Sequence, residues 1–244
     1  MSHEEKVIID NLFELWKFVG SQSAILTTED NFKAVNPPGS DWPKRIFDIS
    51  GTIDTMPAII RERNLPLKLT FTESESIRYD ASLTASGFIQ QQALQGMIID
   101  LPGLSPATAP EMITFRYAEN KADAELFATI ASQSFGYNVG ADIVAGIIGH
   151  TNQVKLLIGY YDNVPAASGL IHYDPLGFAG LHMIGTLPEF RGKSLATVMT
   201  NRLLKECIAD GKTQCVLHAS KAGEPIYTKL GFRPIKQVIT YALQ

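Results

Sequence analysis

The run Leu187-Pro-Glu-Phe-Arg-Gly-Lys-Ser-Leu-Ala196 concentrates residue types that handle anions. It follows an apolar stretch, Leu181 to Gly185, and leads into an amphipathic pattern, an order that reads strand, tight loop, helix. The first backbone N–H groups of a helix have no intrahelical acceptor, and the helix dipole there favours negative charge. Arg191 and Lys193 add positive charge beside them, while Gly192, Ser194 and Ala196 keep the backbone approachable. The chemistry this spacing points to is the holding of a phosphate-bearing ligand. Neither the P-loop pattern nor G-x-G-x-x-G occurs in the chain.

The loop resembles that of the GNAT-type N-acetyltransferase superfamily, [RQ]-x-x-G-x-[GA], which cradles the pyrophosphate of acetyl-CoA. Arg191 and Ala196 match, and Ser194 stands where the family usually has Gly. A second segment strengthens the likeness. Leu217-His-Ala-Ser220 closes a strand-like run, and Ile226-Tyr-Thr-Lys-Leu-Gly-Phe232 resembles the family's closing signature, a Tyr-bearing helix running into Leu-Gly-Phe. The resemblance covers roughly residues 112 to 244, about one domain of chain.

The resemblance implies acetyl-CoA as co-substrate, no metal, and transfer of an acetyl group to a primary amine by direct attack in a ternary complex. It assigns Arg191, Gly192, Lys193, Ser194, Leu195 and Ala196 to the pyrophosphate. Ile184, Gly185 and Thr186 fall at the strand end, where the family's fourth and fifth strands splay around the pantetheine arm. Tyr227 is implied as general acid on the departing thiolate. Ser220 either hydrogen-bonds cofactor or substrate, or caps the helix that follows. The general base is open: His182 enters the site on the central strand, His172 and His218 lie on neighbouring strands, Glu189 is in the loop, and a water chain is the remaining choice. A lone His on a strand is more often structural. The acceptor is a small-molecule amine or a peptide. Two rivals stand beside this reading: a non-catalytic acyl-CoA-binding or partner-binding module, and a transferase that uses aminoacyl-tRNA as donor.

Composition restricts the choice. The 244 residues allow one large or two small domains, and 45% apolar content is enough for a sizeable core. A formal charge of −4 argues against nucleic acid and against the tRNA donor. No stretch has the length and apolarity of a membrane span. The acidic, amphipathic start MSHEEKVIIDNLFELWKF differs from a signal peptide. Cys207 and Cys215 lack CxxC spacing and read as reduced core residues of a cytoplasmic protein, and the five His lack zinc-ligand spacing.

The elements that must position these residues follow from periodicity and turn signals. Pro102-Gly-Leu-Ser-Pro-Ala-Thr-Ala-Pro110 is a linker, dividing an N-terminal unit (1–103) from a GNAT domain (111–244). After it come a strand (Met112 to Tyr117), helices (Ala122 to Phe135 and Gly140 to His150), and a hairpin, Val154 to Tyr161 and Ala166 to Tyr173, around Asp162-Asn163. Then follow the strand Phe178 to Thr186, a helix near 194–210, a strand at 213–219, a helix at 222–230 and a last strand. The fold class expected is α/β (α+β), a mixed, mostly antiparallel sheet flanked by helices. In the N-terminal half Val7 to Val19 reads as an amphipathic helix with Ile8, Leu12, Leu15 and Val19 near one face, and Asn36-Pro-Pro-Gly-Ser-Asp-Trp-Pro43 as a rigid loop bearing Trp42. Leu67 to Phe71, a helix-like stretch, Gly87-Phe88 and an apolar run to Leu101 echo Cys215 to His218, Tyr227, Gly231-Phe232 and the final strand. The N-terminal half therefore reads as a degenerate relative of the second, lacking the Arg-Gly-Lys loop and covering the acceptor side.

Overall fold

A computed structural model describes residues 3–244. The N-terminal half runs α1 (His3–Gln22), β1 (Leu26–Thr28), β2 (Lys33–Val35), β3 (Arg45–Phe47), α2 (Met56–Glu62), β4 (Lys68–Thr72), α3 (Glu73–Ala85) and β5 (Phe88–Asp100). The second half runs β6 (Ile113–Tyr117), α4 (Lys121–Phe135), α5 (Ala141–Ala145), β7 (Val154–Tyr161), β8 (Val164–Tyr173), β9 (Ala179–Thr186), a 3₁₀ turn (Pro188–Phe190), α6 (Leu195–Ala209), β10 (Gln214–Ala219), α7 (Glu224–Lys229) and β11 (Arg233–Leu243). The second half matches the expected order element for element, within a few residues at the ends. The three short strands β1–β3 and helix α2 carry no strong periodicity and were not foreseen.

All strands join one sheet in the order β1-β2-β3-β4-β11-β5-β10-β9-β8-β7-β6. Its pairs are antiparallel except β3/β4 and β9/β10. The centre explains the sequence echo. β4–α3–β5 and β10–α7–β11 are equivalent units, and each unit's last strand sits between the two strands of the other. β5 and β11 pair with each other along nearly their full length, from Arg233↔Ile98 to Leu243↔Phe88. Both Gly-Phe turns do the same work. Gly87 and Gly231 take φ of 79° and 97°, where a side chain is disfavoured, and Phe88 and Phe232 then bury at the head of the strand or its approach.

Helix α1 is amphipathic as expected, with a wider buried face: Ile9, Phe13 and Trp16 are buried along with Ile8, Leu12, Leu15 and Val19, while Lys6, Asp10, Glu14 and Lys17 lie toward solvent, because the helix packs against strands of both halves. Its close approach needs Gly96 on β5, where a Cβ would come within 2.7 Å of Ile8 Cγ2. The 102–110 linker is docked: Ala107 N–H donates to Asn201 Oδ1 on α6 at 3.2 Å. Other ends follow local rules. Thr72 and Glu75 form a capping box at α3, and Asn120 caps α4, which closes on the left-handed Gly136. Asp162 and Asn163, at φ of 46° and 64°, make the β7–β8 turn.

Candidate active site

β9 and β10 pair in parallel only from Ala179↔Cys215 to Leu181↔Leu217. Beyond that point β9 continues with β8 as its neighbour, and β10 continues with β5. The sheet is thus open between Ile184, Gly185 and Thr186 on one side and His218 to Ser220 on the other. β9 carries a bulge at this opening. Ser168 pairs with Gly185 and Leu170 with His182, so Gly169 faces two residues, Met183 and Ile184. Met183 has φ 52°, and Ser168 Oγ donates to its carbonyl at 2.9 Å. A bulge takes backbone groups out of the regular ladder and re-aims them; no feature of residue type at 183 announced it. Gly185 is more than a strand bend: a Cβ there would lie 2.8 Å from Ser134 Cβ on α4.

The 191–196 segment starts α6. Arg191 is extended, Gly192 has φ 79°, and Ser194 occupies the N-cap position with φ 61°. In that left-handed conformation Ser194 makes no side-chain cap bond, so the first-turn amides have no side-chain acceptor. Arg191 Nη2 donates to the Ser134 carbonyl at the end of α4 at 3.0 Å, tying the loop down. Lys193 Nζ lies 4.3 Å from the centre of the Tyr161 ring and 5.2 Å from that of Phe190. Arg191, Gly192, Lys193 and Ser194 are all exposed.

A cavity of about 560 Å³ lies at the opening. It brings together Tyr227, His182, His218, Ile184 and Ser220, with Trp42 and Trp16 from the N-terminal half. Gly185, Thr186 and the 191–196 loop are not among its walls, and neither are His172 and Glu189. A larger, more open depression of about 900 Å³ between α1, α4 and α5 contains none of the site residues expected from sequence. Tyr227 is buried, stacks edge-on against Phe232, and its hydroxyl has no hydrogen-bond partner among the described residues. Burial pushes its pKa up to about 12, so it is protonated at neutral pH. Ser220 Oγ accepts from Gly223 N–H at 3.2 Å, the helix-capping alternative.

His182 is held by residues the sequence reading missed. Its Nε2 lies 3.0 Å from Asn11 Oδ1 on α1, and Asn11 Nδ2 donates to Asp174 Oδ2 at 3.0 Å. Asp174 Oδ1 in turn accepts from Phe178 N–H. Because the Asn11 amide donates to a carboxylate, its oxygen must accept from His182, which puts the imidazole proton on Nε2 and the lone pair on Nδ1. Burial first, then the neighbouring His218 and His172 rings, hold the His182 pKa well below the ordinary value. Burial also lowers His218 to about 4, and neither of its ring nitrogens has a partner among the described residues. Arg45, on the unforeseen strand β3, is another cavity residue; its guanidinium lies 4.4 Å above the Trp16 ring. Burial lowers its pKa to about 10, against an opposing effect of Tyr137.

Among the described residues no cluster of His, Cys, Asp and Glu could hold a metal ion, and no helix is long and apolar enough to cross a membrane. Cys207 and Cys215 are free and buried.

The chain is similar in fold to a GCN5-related N-acetyltransferase from Kribbella flavida (TM-score 0.70, 14% identity, covering 95% of this chain and 94% of that one). A second likeness is to a GCN5-related N-acetyltransferase from Sphaerobacter thermophilus (TM-score 0.59, 13% identity, 81% and 71%). A third is to a tandem GNAT protein from the clavulanic acid biosynthesis pathway (TM-score 0.58, 13% identity, 86% and 77%), which agrees with a GNAT-like N-terminal half. No curated protein sequence matches this one. The family model for the acetyltransferase (GNAT) domain matches residues 117–241, a span that contains the β9 bulge, the 191–196 loop and Tyr227. By that match, the chain belongs to the GNAT acetyltransferase family.

Proposed function

We propose that the protein is an acetyl-CoA-dependent N-acetyltransferase, in which residues 111–244 carry the chemistry and residues 1–103 form a degenerate GNAT-like unit that walls the acceptor side. The observation that carries the reading is the opening between β9 and β10, with Tyr227 and His182 facing one cavity at its mouth. The residues present fit acetyl-CoA. The start of α6 leaves its first amides without a side-chain cap, beside Gly192 and Lys193, and these would hold the pyrophosphate. The gap beyond Leu181 and Leu217 would take the pantetheine arm, with Ile184, Gly185 and Thr186 on its β9 side. Acetyl-CoA supplies the thioester acyl group when bound.

The chain's own residues then have distinct tasks. The bulge at Met183 offers backbone N–H groups to the thioester carbonyl oxygen, where negative charge develops. His182 Nδ1 accepts the proton of the attacking amine, with Asn11 and Asp174 fixing the tautomer. Tyr227 donates its hydroxyl proton to the departing thiolate, a role that suits a phenol kept protonated at neutral pH. Cavity walls from both halves orient the amine for attack in the ternary complex. Ser220, engaged with Gly223, keeps the β10–α7 turn in place.

The test joins CoA calorimetry to thiol release from acetyl-CoA over a panel of primary amines. Binding that weakens at least tenfold in Arg191→Glu, together with amine-dependent thiol release, is the expected result. CoA affinity unchanged in that variant would remove the loop from the site. Tight CoA binding with no release for any amine favours the non-catalytic acyl-CoA-binding module.

A further inference from the structure

Arg45 is a cation set into the acceptor cavity without a counter-ion. It stands on β3, partly buried, with its guanidinium stacked on Trp16. Among the described residues it makes no ion pair, and its Nε is buried without a hydrogen-bond partner. The other charged residues on the cavity wall are Lys68 and Asp41. Lys68 has no ion-pair partner among the described residues, and the Asp41 carboxylate accepts from Asn138 N–H at 3.0 Å. Two cations therefore face one carboxylate that already has a donor. A guanidinium whose Nε is buried without a partner and whose planar fork is unfilled matches a carboxylate through two parallel N–H···O bonds.

Helix α1 meets both groups: His182 bonds to Asn11, and Arg45 stacks on Trp16. Trp42, Phe135 and Tyr137 supply apolar and aromatic wall beside Arg45, suited to an apolar side chain between the two charged ends.

We infer that the acceptor is an amine that also bears a carboxylate, and that Arg45 is the residue that binds this carboxylate. The inference rests on the N-acetyltransferase reading for the role of the amine but not for the binding of the acid. The probes are glycyl-leucine and glycyl-leucinamide, which share the amine and differ only in the terminal charge.

Two readouts separate the claims. The chain's two tryptophans, Trp16 and Trp42, both line the cavity, so intrinsic fluorescence in the presence of CoA reports binding without turnover. The acid is expected to bind ten- to a hundredfold tighter than the amide. Arg45→Gln should erase that preference, and Arg45→Lys should restore part of it. Thiol release from acetyl-CoA, measured in parallel, should show the same preference in KM. Equal affinity for acid and amide in the unmodified protein overturns the inference, and amide turnover in that case leaves the acetyltransferase reading intact. Arg45-dependent binding of the acid without thiol release upholds the carboxylate site and counts against the acetyltransferase reading. Since the comparison of acid with amide needs no variant, misfolding of Arg45→Gln does not shield the inference.

Discussion

Nε2 of His182 lies 3.0 Å from Oδ1 of Asn11, and this one contact ties the proposed base to the N-terminal helix. Asn11 is in turn oriented by Asp174. Replacing Asn11 by Asp puts a carboxyl group between the ring and Asp174; the two carboxyls share one proton, and the negative charge that remains favours the imidazolium. The base must be unprotonated to act, and the unmodified His182 has a lowered pKa, so the acid limb of kcat lies below pH 6.5. Asn11→Asp should move that limb to higher pH, and a pH–rate profile measures the shift. An unmoved limb would show that His182 does not limit the rate in its protonated form.

Gly180 is what lets this contact exist. A Cβ at 180 would lie 1.8 Å from Asn11 Oδ1 and 2.6 Å from His182 Nε2. Gly180→Ala is expected to lower kcat by roughly 10²-fold through loss of base positioning, while CoA affinity, which we propose is set at the start of α6, stays within about twofold. Calorimetry with CoA and steady-state kinetics on one acceptor check both halves of the expectation.

Much of the candidate site was legible because its residues follow a local pattern. Loop 191–196 and the Tyr227 segment have fixed spacing within a few turns of chain, and the hairpin at Asp162-Asn163 follows from backbone preference alone. Asn11, Asp174 and Arg45 were not legible, since each matters only through a partner far away in sequence: Asn11 meets His182 across 171 positions. Strand β3, which carries Arg45, is three residues long, too short for any periodicity to show. The echo between the two Gly-Phe segments was visible, but the exchange of strands that it produces was not. Residue type sets where a strand begins, and only pairing sets which neighbour it takes.

Ser194 holds a left-handed conformation, φ 61°, without gaining a cap bond. Ser194→Gly removes the Cβ clash, worth about 1–2 kcal/mol, and adds chain entropy to the unfolded state, worth about 0.4–1 kcal/mol. A net gain of about 0.5–1 kcal/mol in denaturant unfolding is expected, with CoA affinity unchanged or slightly higher. Lost CoA affinity would mean that the Ser hydroxyl itself donates to phosphate.

Tyr227→Phe keeps the ring packed on Phe232 and removes only the hydroxyl. Turnover should fall by roughly 10²-fold while CoA affinity holds, because a proton given to the leaving thiolate matters only in the transition state. With its pKa pushed up to about 12, the alkaline limb assigned to Tyr227 should lie well above pH 9. Normal turnover in the Phe variant, with chemistry shown to limit the rate, would leave water as the proton source.

His218 gives a stability prediction that is independent of turnover. Burial lowers its pKa from about 6.5 to about 4 in the folded protein. The unfolded chain therefore takes up a proton more readily between those values, and folding loses stability as pH falls through that window. A shift of this size corresponds to on the order of 3 kcal/mol, present in full above pH 6.5 and gone below pH 4. Carboxylates add their own acid dependence, so the measurement is a difference. Urea unfolding at pH 7 and pH 5 should show a smaller loss on acidification in His218→Leu than in the unmodified protein, since leucine fills a similar volume and does not titrate. Equal losses in the two proteins would mean that His218 keeps its ordinary pKa, and that water reaches the ring through the cavity.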